Sequence, residues 1–272
     1  MWYIMSLDHK EKIASLQQQI FAHSTATLYG DTWGDSLPAS LEATPILTWK
    51  KLIECPFRKR TYTAKPLFVH ITYRDSEACL IGRTTSDILS EHYGDTTVAR
   101  PLVAAHYRHH AIEKGMWFYE HNILPQIALE NVDATLAIAK MYDIDSMVLD
   151  ERSVSEYLPR VKTFPKLKRI HIISSHFDAR KIMTHVIPNM LTLVLALPET
   201  GTIALSCPDA LKKNKVLFHP ARHSLLEHRD SLIVTRTVLL PTPIIRYDTE
   251  IRTHIEKHTC SCKDTYETFS LL

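Results

Sequence analysis

The sequence predicts an α/β protein: a mainly parallel sheet with covering helices, followed by a small C-terminal antiparallel β subdomain. Three observations predict it. Short apolar runs at 146–149, 167–173 and 192–195 have the length and unbroken hydrophobicity of strands buried on both faces. Helical periodicity at 131–142 (Val132, Leu136, Ile138, Ala139, Tyr142), a short helix at 153–160 and another opened by Asp178 lie around and between them. That β-α-β order yields parallel neighbours. Beyond residue 211 the pattern changes to brief strands at 216–219, 224–227, 232–240 and 244–246, set between tight turns. The division that follows is an α/β core over residues 1–210 and a β-rich subdomain and tail over 211–272.

The earlier elements follow in order. Ile13, Leu16, Ile20 and Phe21 recur at helical spacing, which predicts an amphipathic helix over 8–28. Gly30, Gly34, Pro38 and Pro45 mark a loop over 29–46. Thr48 is placed to cap a short helix that ends near Pro56. Residues 67–71 and 79–81 read as two strands joined by a polar turn. A helix follows Thr85-Ser86-Asp87 and runs to about Tyr93, and a His-rich helix is expected over 99–121.

Composition excludes several classes. The 32 basic and 30 acidic residues leave a net charge of +2, too balanced for a nucleic-acid or membrane surface. No apolar run reaches the ~18 residues of a membrane span. Met1-Trp2-Tyr3-Ile4-Met5 is followed at once by polar residues, so no signal peptide is expected. Five cysteines, an odd count, fit reduced thiols in a cytoplasm better than a disulfide scaffold. Only 6 glycines occur, at 30, 34, 82, 94, 115 and 201, against a usual ~7%. No pair has the spacing of a P-loop or dinucleotide fingerprint, which disfavours glycine-loop phosphate chemistry.

Two segments carry the functional reading, Leu197-Pro198-Glu199-Thr200-Gly201 and Ile244-Ile245-Arg246-Tyr247-Asp248-Thr249. With the lead-in around Thr44–Leu52, Cys55-Pro56-Phe57, Val69-His70-Ile71, Arg169–His176 and Leu232–Thr235, they stand in the order of the nucleotide-site motifs of adenylate-forming enzymes. The chain resembles the branch of that superfamily containing phenylacetate–CoA ligases and acyl-protein synthetases, over roughly residues 44–252. The resemblance implies the fold of the family's N-terminal domain, with ATP or AMP and Mg²⁺ as cofactors. Glu199 would hold Mg²⁺ as a hard oxygen ligand, or else cap nearby N–H groups. Arg246 would contact phosphate or carboxylate, or pair with a nearby acid. Ser174, Ser175 and His176 with Leu195, Ala196 and Leu197 would line the adenine, His176 alternatively being a surface strand-end histidine. The family's ribose-gripping Asp aligns with Ile251, and Asp248 is a candidate substitute.

The departures weigh on mechanism. Where the family has a Ser/Thr/Gly-rich phosphate loop, this chain reads Thr72-Tyr73-Arg74-Asp75-Ser76-Glu77-Ala78-Cys79. Asp75 and Glu77 put negative charge where phosphate should sit, with Arg74 in partial compensation. Two like charges at ~4 Å repel by about 1–4 kcal/mol. An ordinary polar β-turn is the simpler reading. The family's C-terminal lid domain, which supplies a catalytic Lys, is not expected in the few residues after Arg252.

Other constellations stay open. His106, His109 and His110 share one helical face, either a zinc pair or a solvated basic face. Cys260-Ser261-Cys262 is too short for a usual zinc knuckle and reads as an exposed tail, and His219, His223 and His228 follow no period. Met116-Trp117-Phe118-Tyr119 reads as core packing or the wall of an acyl pocket. The reading of function is an AMP-forming carboxylate ligase homologue for a small acid, aromatic acids among the candidates, with impaired or lost catalysis. The alternatives are a non-catalytic small-molecule or nucleotide-binding protein on the same scaffold, or a subunit partnering a complete ligase. Expected partners are the acid, with CoA, an acyl carrier protein or a separate lid domain; nucleic acid and membrane are not expected.

Overall fold

Strands β5 (Ser146–Asp150), β6 (Arg169–Ser174) and β7 (Leu191–Leu197) pair in parallel, and apart from a few end and edge residues their side chains are buried. They sit inside a nine-stranded sheet of order β13-β14-β9-β8-β7-β6-β5-β3-β4. The remaining members are β3 (Pro101–Ala104), β4 (Gln126–Ile127), β8 (Gly201–Ser206), β9 (Phe218–Pro220), β13 (Thr253–Glu256) and β14 (Thr268–Leu271). From β4 to β7 the sheet is parallel, and from β7 to β13 antiparallel. Two small antiparallel units complete the chain: the hairpin β1 (Phe68–Arg74)–β2 (Glu77–Arg83), and the sheet β10 (Ser224–His228)–β11 (Leu232–Arg236)–β12 (Tyr247–Asp248). The computed structural model describes residues 7–22, 28–29, 33, 36–61, 68–74, 76–106, 108–128, 131–238, 240–257, 260–261 and 268–272. The expected turn residue Asp75, Gly30, Gly34 and Cys262 lie outside them. No described helix is long and apolar enough to cross a membrane.

The alternation of side chains along each strand divides the core into two layers. Leu102, Met147, Leu149, Ile170, Ile172 and Leu193 face one layer, where Leu136, Ala139, Val154 and Ile182 of the helices Val132–Met141, Glu151–Tyr157 and Ala179–Met183 cover them. Val103, Val148, Ile173 and Val194 face the other, under Trp117 and Phe118 of the helix Arg108–Glu120 and Ile88 of the helix Thr85–Leu89. Asn131, Asp150 and Asp178 cap their helices by accepting from the N–H three residues on, as Thr48 does for Trp49–Glu54.

Several boundaries differ from expectation. The helix predicted over 99–121 is a strand, Pro101–Ala104, followed by the helix Arg108–Glu120. A fully buried parallel strand lacks alternation, so its apolar run merged with the helical pattern behind it. The first helix is Leu7–Ala22, and residues 23–27 lie outside the described ones. The helix after Thr84 stops at Leu89. Residues 244–246 are not a strand: Arg246 takes φ +49 and pairing begins only at Tyr247. Strands β4, β8, β13 and β14 were not anticipated. They are short, or, in β8, begin inside the segment read as a nucleotide motif.

One core position makes stability pH-dependent. His171 on β6 is 3% exposed, neither ring nitrogen has a hydrogen-bond partner among the described residues, and it packs 5.9 Å from His92. Burial, then the neighbouring His92, push its pKa down to about 3. The unfolded chain therefore binds the proton first, and stability falls as pH drops through about 6.5. Urea unfolding should give about 1 kcal/mol less at pH 5.5 than at 7.5 from this group, a loss that His171→Leu removes.

Candidate functional site

In open α/β sheets, ligands bind outside the carboxyl ends of the strands, where the chain leaves in opposite directions. Here β3 is followed on one side by β4 and on the other by β5. Two connected hollows open at that end. The smaller, about 200 Å³, is lined by Arg83, Tyr93, Glu113, Lys114, Asp150, Ser174, Ala196, Leu197 and Gly201, among others. The larger, about 1490 Å³, lies between the strand ends, the β1–β2 hairpin and the β12–β13 connection. His110, Glu151, Arg152, Ser175, Leu197 and Pro198 border both.

The hairpin forms one wall. Val69, Ile71 and Tyr73, alternate residues of β1, line the larger cleft and stay 43%, 46% and 66% exposed. Ile251, Phe177 and Leu271 add to this apolar lining. Arg74 and Glu77 are register partners, so only two residues turn the chain, with Ser76 at φ +68. A two-residue hairpin turn offers no run of N–H groups to cradle a phosphate. The segment is a tight β-turn, the simpler of the two readings.

Arg74 leaves the hairpin for the floor of the cleft. Its Nη2 donates to Glu199 Oε1 at 2.8 Å, and its guanidinium lies over Trp49 (5.1 Å) and Tyr247 (5.9 Å). Tyr247 Oη donates to the same Glu199 oxygen at 2.7 Å. Burial, then the charge of Glu199, raises the Tyr247 pKa, which keeps that proton in place. Trp49 Nε1 is held by Glu77 Oε2 at 3.2 Å, and Glu250 approaches Arg74 Nη1 at 3.6 Å. The Glu199 side chain is only 2% exposed. A Mg²⁺ ion demands near-octahedral oxygen ligands. Here Glu199 Oε1 already accepts two hydrogen bonds, and a guanidinium stands beside it. On the Oε1 side these residues do not fit the metal: a cationic side chain takes the place beside Glu199.

The other predicted residues separate into two groups. Of the six residues expected at the adenine, Ser174, Ser175, Ala196 and Leu197 line the smaller hollow, and Ser175, His176 and Leu197 the larger. Ser174 Oγ donates to Glu151 Oε2 at 2.8 Å and accepts from the His176 N–H. Leu195 is fully buried in the core and borders neither hollow. Arg246 is also buried away from the cleft. It makes a fork with both Glu227 oxygens, at 2.8 and 2.9 Å, and donates to the carbonyls of Glu42 and Thr44. It ties the lead-in loop to β10, the pairing alternative. Asp248 accepts from Ser231 Oγ and Glu250 N–H through one oxygen. Trp117 and Phe118 are core. His110 borders both hollows; the His109 side chain lies outside the described residues.

Sequence reasoning missed a buried ionic cluster behind the smaller hollow. Arg83 Nη1 reaches Asp87 at 3.0 Å and Glu91 at 3.7 Å, and its Nε reaches Glu113 at 3.2 Å. Arg236, wholly buried, pairs with Glu91 at 3.3 Å and donates to the Thr202 carbonyl. Tyr93 donates to Glu113. Burial raises the Asp87 pKa to about 6 against the pull of Arg83, and lowers that of Lys114. Arg83 and Asp87 stand four apart on the sequence, which on its own reads as a solvated pair.

No family model and no curated protein matches the sequence. Solved structures do. The N-terminal domain of FACL13 from Mycobacterium tuberculosis superposes with a TM-score of 0.55 at 10% identity, covering 77% of this chain and 60% of that one. The fold is that of the N-terminal domain of adenylate-forming enzymes. The amide bond synthetase McbA from Marinactinospora thermotolerans gives 0.53 at 12% identity, covering 74% of this chain. The chain spans 48% of that protein's length. At such identities the likeness is one of fold.

Proposed function

We propose that this chain is a small-molecule-binding protein on the adenylate-forming scaffold, related to the phenylacetate–CoA ligase and acyl-protein synthetase branch. It takes a small carboxylic acid in the larger cleft without Mg²⁺-dependent activation of its own. The observation that carries this reading is the closed Arg74–Glu199–Tyr247 cluster, which gives the carboxylate expected to hold Mg²⁺ another partner. The apolar faces of Val69, Ile71 and Tyr73 suit the body of an aromatic acid, and Arg152 and Arg252 border the same cleft as counter-charges. We place the protein in the cytoplasm, where its odd number of cysteines, five, would stay reduced.

A second reading is favoured by size. About 1490 Å³ exceeds what one small acid fills, so an acyl adenylate would fit with its base against Ser174–His176, Ala196 and Leu197. A separate lid domain, with CoA or an acyl carrier as acceptor, would then complete a ligase. Thermal unfolding with a panel of aromatic and aliphatic acids, AMP and Mg·ATP separates the two. Binding of an acid at a hundred times its Kd adds about 2.7 kcal/mol. The binding reading expects that shift from an acid alone. Stabilisation by Mg·ATP that Glu199→Ala abolishes would instead favour the ligase.

A further inference from the structure

We propose that Cys207, His219 and Cys260 bind a zinc ion, at a site separate from the cleft and independent of the functional reading above. The three residues come from three parts of the chain. Cys207 follows β8 at the N-cap position of the helix Pro208–Lys212, His219 is the middle residue of β9, and Cys260 lies beyond β13. Their ligand atoms all lie within 4.8 Å of one another, with Cys260 Sγ 3.3 Å from His219 Nε2. Around a tetrahedral zinc, with Zn–S ≈ 2.3 Å and Zn–N ≈ 2.0–2.1 Å, ligand atoms stand roughly 3.5–3.8 Å apart. That geometry is reached when the Cys260–His219 pair opens slightly and the wider pairs close.

The surroundings hold the ligands in place. Cys207 is fully buried and packs with Ala210 and Leu217, and its N–H donates to the Leu217 carbonyl at 2.7 Å. His219 is 5% exposed and fixed by the β8–β9 pairing, opposite Leu205. Asp209, two residues from Cys207, accepts from both the N–H and the hydroxyl of Ser261, at 2.6 and 2.7 Å. That clamp presents Cys260 to the other two ligands. Two thiolates and a neutral imidazole offset the charge of Zn²⁺, and this donor set suits zinc better than the hard cations. None of the three borders either hollow. With three protein ligands, water would take the fourth tetrahedral position, and the ion would tie the segment after β13 to β8 and β9.

The full chain, expressed with zinc and dialysed into metal-free reducing buffer, should retain about one zinc per molecule. A chelator should lower its Tm. Cobalt in place of zinc should give a thiolate-to-metal charge-transfer band. Cys260→Ser should lose the zinc, the band and the response to chelator. Cys260 is the part-exposed ligand, so this variant is the one expected to stay folded, and the wild-type spectrum needs no variant at all. Absence of both zinc and band from the wild-type chain would overturn the proposal. So would their persistence in Cys260→Ser, or a Cys207–Cys260 disulfide that forms in reducing buffer in place of metal binding.

Discussion

Arg83→Met is expected to destabilise the fold by about 3–5 kcal/mol, the largest effect of any single substitution considered. Arg83 is 3% exposed and carries Asp87, Glu91 and Glu113 on one guanidinium, while its Nη2 donates to the Pro198 carbonyl at 3.1 Å. Methionine fills much of the volume but leaves three carboxyl groups buried, with Arg236 near only one of them. Breaking a buried pair costs far more than the pair contributes, because the remaining charge keeps its desolvation penalty. The pH dependence identifies the cause. Burial pushes the Asp87 pKa up to about 6 even with Arg83 beside it. Its folded pKa lies above the unfolded value, so its charge costs stability as pH rises through that window. Without Arg83 that cost grows. The difference between wild type and variant in urea unfolding should therefore shrink as pH falls from 7.5 toward 5. A difference independent of pH would mean that packing, not charge, is lost.

Gly201→Ala should cost about 3 kcal/mol, from two causes that add. Gly201 takes φ +71, where a Cβ is strained. That Cβ would also fall 1.9 Å from Glu91 Oε1 and 2.5 Å from its Cδ. Glu91 has no room to yield: it accepts from the Thr202 N–H and pairs with Arg236 and Arg83. Glycine at this position reflects the carboxylate behind it and the turn that starts β8. Chemical denaturation of the purified variant checks the value, and a loss below 1 kcal/mol would contradict the described packing.

The sheet's centre was legible because β5, β6 and β7 are short apolar runs separated by capped helices, signals that act over a few residues. Its edges were not. Strand β14 joins the sheet by pairing with the distant Phe218, and β13 by pairing with β14, not by their own pattern. At the site, the tight turn at Ser76 and the departure of Arg74 from the phosphate-loop pattern could be read in sequence. The bond from Arg74 to Glu199 spans 125 residues and could not. Arg246 was a candidate anion contact, yet its partner is Glu227, brought beside it by the small sheet. Glu91, Glu113 and Arg236 look like ordinary surface charges until the fold buries them. Cys207, His219 and Cys260 share no spacing rule, because three separate segments meet only through the antiparallel half of the sheet.

In the proposed binding protein, Arg74 stands in for a metal beside Glu199. The most direct measurement compares the effect of Mg²⁺ on thermal stability in wild type and in Arg74→Ala, with Arg74→Ala/Glu199→Gln as control. Removing the guanidinium leaves a buried carboxylate that a divalent cation can neutralise. No shift with Mg²⁺ is expected in wild type, a rise in Tm with Mg²⁺ in Arg74→Ala, and none in the double variant. A Mg²⁺-dependent rise in wild type that Glu199→Gln removes would contradict it.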